Sequence, residues 1–329
     1  MARVFASSAR PTTPWRAREA DEGYGVTAQP SWRDVDWSKH LNRVDIHGST
    51  VNYVDIGEGE GEPVVFVHGL GGQWQNWLEN LPRVALERRA IALDLPGFGL
   101  SEMPRADITI PNYARTVEAL CQHLDLGRIV LVGNSMGGFV SSEVAIRYPE
   151  RVERMMLVSA AGISSANVYR APALLTGRVA AAITAYTAAR HRQMARRPVT
   201  RHIALSLVAR HPSRLAPDLA WESMLKGVGK PGFQDALRAN LVYDFRDRLP
   251  EISCPTLILW GEEDSIISVR DAAEFERLIP DSRKLVLEDT GHVPMLERPS
   301  AFNDVLTDFL AETGPAEAAE PVEGESQVA

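Results

Sequence analysis

Short apolar runs alternate with longer helical patterns over most of the chain. The apolar runs lie at 51–55, 64–67, 90–94, 129–132, 155–159, 256–260 and 284–287. Because these runs are apolar at nearly every position, they predict strands that are buried on both faces, as in a parallel sheet. Helical patterns such as 112–124 and 139–148 separate them and suit crossover helices. The pattern therefore predicts an α/β fold.

The alternation stops near Gly162 and resumes near Ile252. Residues 163–249 contain only helical and loop patterns, with fourteen Lys or Arg against five Asp or Glu, so this segment is near +9 and the remainder near −17. Open parallel sheets bind ligands at the carboxyl ends of their strands. We therefore expect a basic helical cap over that edge, with a core formed by residues 41–162 and 250–312.

Both ends of the chain differ from this core. Residues 1–40 mix Arg, Pro, Ser and acidic residues without an apolar period, and we expect an extension that is partly disordered or packs through its tryptophans, Trp15, Trp32 and Trp37. From Glu312 onward there are five Glu and no Lys or Arg. Such a tail has nothing to bury, so we expect disorder over 313–329.

Composition excludes several classes of protein. The net charge of −8 and the isoelectric point of about 5.6 argue against a nucleic-acid-binding protein. Two cysteines, Cys121 and Cys254, are too few for a disulfide framework or a four-cysteine zinc site. No apolar run approaches the roughly 20 residues of a membrane span, and no signal peptide is evident, so a cytoplasmic location is the default expectation. The sequence carries no indication of the oligomeric state.

The segment 129–138 carries the most specific motif. Gly133, Ser135 and Gly137 form G-x-S-x-G directly after an apolar strand and directly before a helix. In that context the serine lies on a sharp turn, with its hydroxyl exposed to a ligand and the helix N-terminus ready to stabilise an anion. We therefore expect Ser135 to be a nucleophile.

A serine nucleophile needs a general base and an acid that orients it. His292 follows the last strand in the segment 289–294, and Asp264 follows the strand 256–260, so both can reach the edge where Ser135 lies. Glu263 is the alternative acid. Asp289 is expected to stabilise its own turn. The cap histidines, His191, His202 and His211, are expected at the surface.

Acyl transfer also needs fixed donors for the oxyanion. We expect one to be the backbone N–H of Met136, the residue after the nucleophile, and the other to be the N–H of Leu70 in the loop 68–72. His68 is expected to brace that loop by hydrogen bonding rather than to act in catalysis.

Residues 42–310 resemble the α/β-hydrolase superfamily. The resemblance rests on the motif residues His68-Gly69, 94–101, 133–137, 260–264 and Gly291-His292. It implies an eight-stranded, mostly parallel sheet with a cap inserted after strand six, at 163–249. The resemblance gives no substrate, since the superfamily hosts many chemistries on one scaffold.

Comparison with subfamilies narrows the chemistry. Epoxide hydrolases and haloalkane dehalogenases carry Asp where this chain has Ser135. The sequence of 133–138 resembles that of the C–C hydrolases of aromatic ring cleavage. Those enzymes usually have Trp after the catalytic His, where this chain has Val293. Their Gly-rich oxyanion loop is only partly matched by 70–72. The sequence therefore favours a serine hydrolase of a lipophilic carboxylic ester, either a carboxylesterase or similar to monoacylglycerol lipases, without metal or cofactor.

Other functions stay open at this point. A C–C bond hydrolase is the first alternative, and a perhydrolase, lactonase or amidase follows. A non-enzymatic binding protein of this fold is disfavoured because Ser135, Asp264 and His292 are all present. The cap residues Leu174, Leu175, Val179, Ile183 and Tyr186 are expected to form an apolar face that roofs the pocket. The alternative is weak contact of that face and the nearby arginines with an anionic lipid surface, or an arginine that binds a substrate carboxylate.

Overall fold

The computed structural model describes residues 22–164 and 175–312, and within these the side chains of 175–182 are left out of the description. The expectations for Trp15, for Leu174 and for the acidic tail at 313–329 fall outside the described residues. Those for Leu175 and Val179 fall on side chains that are likewise outside the description.

A twisted sheet forms the centre of the molecule, in the order β1-β2-β4-β5-β6-β7 with β3 paired to β2. Its strands are β1 (Leu41–Ile46), β2 (Ser49–Val67), β3 (Arg88–Leu93), β4 (Ile129–Asn134), β5 (Val152–Val158), β6 (Thr256–Gly261) and β7 (Ser282–Leu287). β4 to β7 pair in parallel. This confirms the mostly parallel sheet that the sequence predicts.

The long strand β2 doubles back on itself around β3. Its first half runs opposite to β3, with Tyr53 beside Leu93 and Ile56 beside Ala90, whereas its second half runs with β3, from Val64 beside Ala90 onward. The two apolar runs at 51–55 and 64–67 are therefore the two halves of one continuous strand. Counting the halves separately gives the eight strands that the resemblance implies.

Helices cover both faces of the sheet. Those of the core are α1 (Leu81–Val84), α2 (Ile110–His123), α3 (Met136–Arg147), α9 (Arg270–Leu278), α10 (Pro294–Glu297) and α11 (Pro299–Ala311). Alternate residues of each central strand belong to different hydrophobic clusters. Val65 and Leu131 pack in one cluster, while Phe66 and Val132 pack in the other, and all four are buried. Burial of both faces explains why these strands are apolar at every position.

Between β5 and β6 the described chain is entirely helical or loop. It contains α4 (Leu175–Arg190), α5 (Arg192–Ala195), α6 (Pro198–Leu205), α7 (Pro217–Leu219), a π-helix (Ala220–Leu225) and α8 (Phe233–Val242). We keep the word cap for residues 163–249; its exact boundaries stay a prediction. No helix in the described ranges is long and apolar enough to cross a membrane.

The segment before β1 packs on the core. Trp32 is buried and its indole Nε1 donates to Glu79 Oε1 at 3.0 Å, while the backbone N–H of Ala28 donates to Glu79 Oε2 at 2.8 Å. Trp37 is half-buried against Trp74. Two of the three tryptophans in the extension thus make the packing contacts that the sequence predicts.

Candidate active site

Ser135 sits on the sharp turn between β4 and α3. Its backbone has φ +55° and ψ −120°, a strained conformation for a residue with a side chain. Its N–H donates to Val158 O and its carbonyl accepts from Ala161 N–H, both at 2.9 Å, which holds the turn against the end of β5. A Cβ on Gly137 would lie 2.0 Å from Val67 O, so only glycine allows this close approach to β2. The G-x-S-x-G spacing is therefore a packing requirement of the turn.

The structure brings Asp264 and His292 together. Asp264 Oδ2 lies 2.7 Å from His292 Nδ1, and both side chains are buried. Asp264 Oδ1 accepts from the backbone N–H groups of Ile266 and Ile267, at 2.8 and 2.9 Å. An ionised Asp264 accepts the Nδ1 proton of His292, which leaves Nε2 as the basic nitrogen. The loop of His292 is also tied to the turn of Ser135, because Asn134 Nδ2 donates to His292 O at 3.1 Å.

The other acidic candidates are engaged elsewhere. Glu263 pairs with Arg210 at 3.5 Å, so this alternative acid faces the cap rather than His292. Asp289 was expected to stabilise its own turn, but its carboxylate lies 2.7 Å from His211 Nε2 and 3.1 Å from Arg210 Nε. That expectation is wrong for the carboxylate, which binds two side chains of the cap and so joins the core to the cap.

The candidate oxyanion donors lie on either side of this turn. Met136 is the first residue of α3, so its N–H precedes the hydrogen-bond ladder of the helix. Leu70 follows Gly69, where a Cβ would lie 3.0 Å from Ser135 Cβ, and a turn closes behind it through Gly72 N–H to Gly69 O at 3.0 Å. The first turn of α3 therefore follows Ser135 directly, and the loop 68–72 approaches the Ser135 side chain through Gly69.

His68 braces the loop of Leu70 from inside the core. Its Nδ1 lies 2.7 Å from Gly69 O, and its Nε2 accepts from Leu95 N–H at 3.0 Å. One nitrogen must donate and the other must accept, so the ring is neutral. Complete burial agrees with this, because it lowers the pKa of His68 from 6.5 to about 4.

The cap contacts the same loop through two amide side chains. Gln73 Nε2 donates to Glu222 O at 2.6 Å, and Asn76 Nδ2 donates to Ser223 O at 2.7 Å. Both acceptors belong to the π-helix, a rare element that is often found at functional sites. The cap therefore contributes to the position of the loop that carries Leu70.

Glu297 is a fully buried carboxylate beside the His292 loop, and the sequence did not indicate it. Glu297 Oε2 accepts from Gly291 N–H at 3.0 Å and Oε1 accepts from Val293 N–H at 3.2 Å, so it holds the backbone on both sides of His292. It also accepts from the Tyr24 hydroxyl at 2.5 Å and from Arg210 N–H at 2.7 Å. Burial raises the pKa of Glu297, whereas all four donors favour its ionised form; the contacts support an ionised carboxylate.

The cap reaches His292 directly as well. Val208 O accepts from His292 N–H at 2.9 Å. A Cβ on Gly291 would lie 2.8 Å from Arg210 N, so glycine is needed for the cap backbone to approach this closely. The Gly-His pair that marks the base in the sequence is thus explained by contact with the cap.

Two expectations about cap side chains are wrong. His202 and His211 are buried, and of the three cap histidines only His191 is exposed. Ile183 and Tyr186 were expected to roof the pocket, but they are exposed at 62% and 48%. The side of α4 that faces inward is the one with Ala188.

Two further features of the described residues lie outside this group of side chains or are not found among them. A cleft of about 680 Å³ lies between residues 103–111 and α8, and none of Ser135, Asp264 and His292 lines it. Among the described residues, no three His, Cys, Asp or Glu side chains are grouped so that they could hold a metal ion.

Comparison with known proteins agrees with the fold. Residues 62–299 match the family described as alpha/beta hydrolase fold. The chain belongs to the α/β-hydrolase family. It is a hydrolase of this superfamily, as the motif residues predict.

Individual relatives differ in what they act on. The chain is 32% identical over 277 residues to the dihydrolipoyllysine-residue acetyltransferase component of an acetoin cleaving system from Pseudomonas putida, covering 82% of this chain and 68% of that one. It is 31% identical to 2-hydroxy-6-oxo-2,4-heptadienoate hydrolase of P. putida, covering 80% and 94%. A thermophilic esterase from Thermogutta terrifontis superposes with a TM-score of 0.63 at 26% identity, over 82% of this chain and 98% of the esterase.

Proposed function

We propose that the protein is a serine hydrolase that cleaves lipophilic carboxylic esters through an acyl-enzyme on Ser135. The observation that carries this proposal is the buried contact of 2.7 Å between Asp264 and His292 Nδ1, in a loop that is bound to Asn134, the residue before a serine on a strained turn. A buried carboxylate bound to Nδ1 makes Nε2 the base, and this is the arrangement that activates a serine hydroxyl.

Formation of the acyl-enzyme is the first half of the proposed reaction. His292 Nε2 removes the proton of Ser135 Oγ as the oxygen attacks the ester carbonyl, and Asp264 stabilises the imidazolium that results. The N–H groups of Met136 and Leu70 donate to the oxyanion. His292 next protonates the leaving alcohol, and the acyl group stays on Ser135.

Release of the acid uses the same groups in reverse. Water enters, His292 takes its proton, and the hydroxide attacks the acyl carbonyl. The second tetrahedral intermediate collapses when His292 returns the proton to Ser135 Oγ. Every proton is carried by this chain's own residues, so the cycle needs no cofactor.

A C–C bond hydrolase is the second candidate, favoured by the 31% identical ring-cleavage hydrolase and by the Gly-Asn-Ser-Met-Gly-Gly motif at 133–138. Four arginines of the cap that were candidates for binding its acidic substrate are exposed: Arg190, Arg192, Arg196 and Arg197. The buried cap arginine, Arg201, donates to the carbonyl groups of Ala195, Arg196 and Ser213 instead. Ester cleavage therefore ranks first.

Initial rates on p-nitrophenyl esters from acetate to laurate test the proposal. We expect turnover that peaks at one chain length and falls at least about 10³-fold in Ser135→Ala, since the oxyanion donors and binding alone retain only a small part of the catalysis. The matched control is Ser101→Ala, a serine near the same sheet edge whose hydroxyl donates to Asp94 O. Uniformly poor rates in folded protein, with fast cleavage of a vinylogous diketo acid, would favour the C–C hydrolase.

A further inference from the structure

We propose that the outer face of the cap docks on an anionic lipid surface. The cap outer face consists of the exposed residues of α4 and α6 together with two arginines between these helices: Ile183, Tyr186, Arg190, Arg196, Arg197, Val199 and Ile203. The proposal does not rest on the identity of the substrate. It concerns the surface on which the protein works.

Large apolar side chains are exposed on both helices. On α4, Ile183 and Tyr186 lie one turn apart and are exposed at 62% and 48%; on α6, Val199 and Ile203 lie one turn apart and are exposed at 55% and 41%. The opposite faces of these helices are buried in the core, through Ala188 of α4 and Leu205 of α6. Each helix therefore buries one face in the core and exposes large apolar side chains on the other.

Arginines surround these apolar groups. The Arg190 guanidinium lies 3.5 Å from the centroid of the Tyr186 ring, so one cation is held beside an exposed aromatic ring. Arg196 and Arg197 are exposed, and neither forms an ion pair with a described residue. Arg192, by contrast, pairs with a carboxylate of the described cap, Glu222, at 3.8 Å. Most of this positive charge is therefore available to an external partner.

The charge of the whole chain points the cap toward an anion. From residue 163 to residue 217 the sequence has nine arginines and no Asp, Glu or Lys, in a chain whose net charge is −8. Such a separation of charge orients the molecule in the field of an anionic surface, with the cap foremost. The same cap contacts the loops of Leu70 and His292, so docking would place the catalytic edge next to the lipid.

The apolar groups decide between lipid and other polyanions. Nucleic acids and acidic proteins would pair with the arginines but would leave Ile183 and Val199 in water. A bilayer takes up both, because apolar side chains enter the boundary of the acyl chains while arginines meet the head groups. Aliphatic, aromatic and basic side chains on adjacent helices fit a lipid surface better than a soluble partner.

Flotation of the full-length protein with vesicles tests this surface. We expect binding to vesicles of phosphatidylcholine with 30% phosphatidylglycerol, at least about tenfold tighter than to phosphatidylcholine alone, since each arginine near an anionic membrane contributes about fivefold. Binding should be lost in about 1 M salt, where charges separated by more than about 3 Å are screened.

Two pairs of variants separate the contributions. Ile183→Ser with Val199→Ser should weaken binding at least about tenfold, whereas Leu86→Ser, whose side chain is equally exposed at 62% but lies before β3 at the opposite edge of the sheet, should not. Arg196→Gln with Arg197→Gln should weaken it about 25-fold, whereas Arg43→Gln with Arg270→Gln should leave it unchanged. All these residues are exposed, and circular dichroism checks that each variant folds.

Several results would overturn the proposal. Equal binding to neutral and anionic vesicles, or no binding to either, would remove the role of the arginines. Tight binding of heparin that is insensitive to Ile183→Ser with Val199→Ser would identify a soluble polyanion as the partner. A dimer of the wild type in sedimentation velocity that Ile183→Ser dissociates would show that a second copy covers this face.

Discussion

Individual side chains near Ser135 differ sharply in how much the sequence revealed of them. Asp264 was preferred as the acid because Glu262 and Glu263 lie closer to the end of the apolar strand, and its carboxylate lies 2.7 Å from His292 Nδ1. Its neighbour Glu263 follows the same strand but turns to Arg210. One residue of separation decides which carboxylate faces the histidine, and adjacent positions in a loop leave this open until the backbone is known.

This difference predicts a matched pair of variants. Asp264→Asn should lower kcat by about 10³- to 10⁴-fold with KM nearly unchanged, because an amide bound to Nδ1 stabilises the wrong tautomer of His292. Glu263→Gln should keep kcat within about twofold of the wild type. Steady-state kinetics on the best p-nitrophenyl ester measures both. A comparable loss in both variants would mean that Glu263 can serve as the acid.

His68 predicts a specific dependence of stability on pH. Its pKa is lowered from 6.5 in the unfolded chain to about 4 in the folded protein, so the unfolded state binds more protons in between. Its contribution to the free energy of unfolding is therefore complete above about pH 6.5 and is lost as the pH falls toward 4, by about 3 kcal/mol. Protonation would also remove the acceptor for Leu95 N–H.

Urea unfolding between pH 4 and 7 checks this expectation. His68→Gln should be less stable at pH 7 and should show a shallower decline as the pH falls, since the group that takes up the proton is gone. His123→Gln is the matched control, because His123 is exposed at the end of α2 and its removal should leave the slope unchanged. Parallel curves for the wild type and His68→Gln would contradict the assignment of this slope to His68.

At the scale of elements, the strands that are buried on both faces were predicted, as was the less buried β7 through its apolar run, whereas β1 was missed. β4 to β6 are apolar at nearly every position because helices cover both of their faces. β1 was missed because four of its six residues are exposed, and its sequence shows no continuous apolar run. Edge strands satisfy only part of their surface with the core, so their pattern resembles that of a loop.

The loop of His292 shows what sequence patterns do not encode. Glu297 joins Gly291 and Val293 of its own loop, Arg210 of the cap and Tyr24 of the segment before β1. Its partners are mostly backbone N–H groups, which every residue has, and they come from three distant parts of the chain. No residue type or spacing could have predicted this contact.

Glu297 therefore provides a test of whether the loop positions His292. In Glu297→Gln the amide group faces at least one backbone N–H, which leaves a buried donor unpaired and costs about 1–3 kcal/mol of stability. We expect kcat to fall at least about tenfold with KM within about twofold, since small displacements of a catalytic group are costly. Kinetics and urea unfolding measure the two effects.

Glu79→Gln is the control that separates position from stability. Glu79 is another buried carboxylate that accepts from a backbone N–H and from an indole, but it lies in the packing of the segment before β1. It should lose similar stability and keep kcat. If both variants lose kcat in proportion to stability, Glu297 acts only in folding.

At the scale of the whole molecule, the cap contacts both sides of the candidate active site. It binds the loop of Leu70 through Gln73 and Asn76, and it binds the loop of His292 through Val208. The sequence predicted an all-helical basic insertion, and the described residues between β5 and β6 form helices and loops. The burial of His202 and His211 was missed. The cap is held by polar contacts, so its sequence shows no long apolar period that would indicate which residues are buried.

The whole molecule also combines a recognised fold with an outer surface that the fold does not require. The α/β-hydrolase core accounts for the apolar strands and the motif residues. Ile183 and Val199 are exposed and contribute nothing to that core. We propose a lipid surface as the partner of these groups, which is the reason for the vesicle experiment.

Covalent labelling of Ser135 is the most direct test of the central claim, that His292 and Asp264 activate this serine. The wild type should react with a fluorophosphonate to give one adduct per chain by intact mass, located on the peptide of Ser135. Its labelling rate should fall at least about 10²-fold in His292→Ala and in Asp264→Asn, and stay unchanged in Glu263→Gln. An adduct on another residue, or equal rates in all four proteins, would contradict the account.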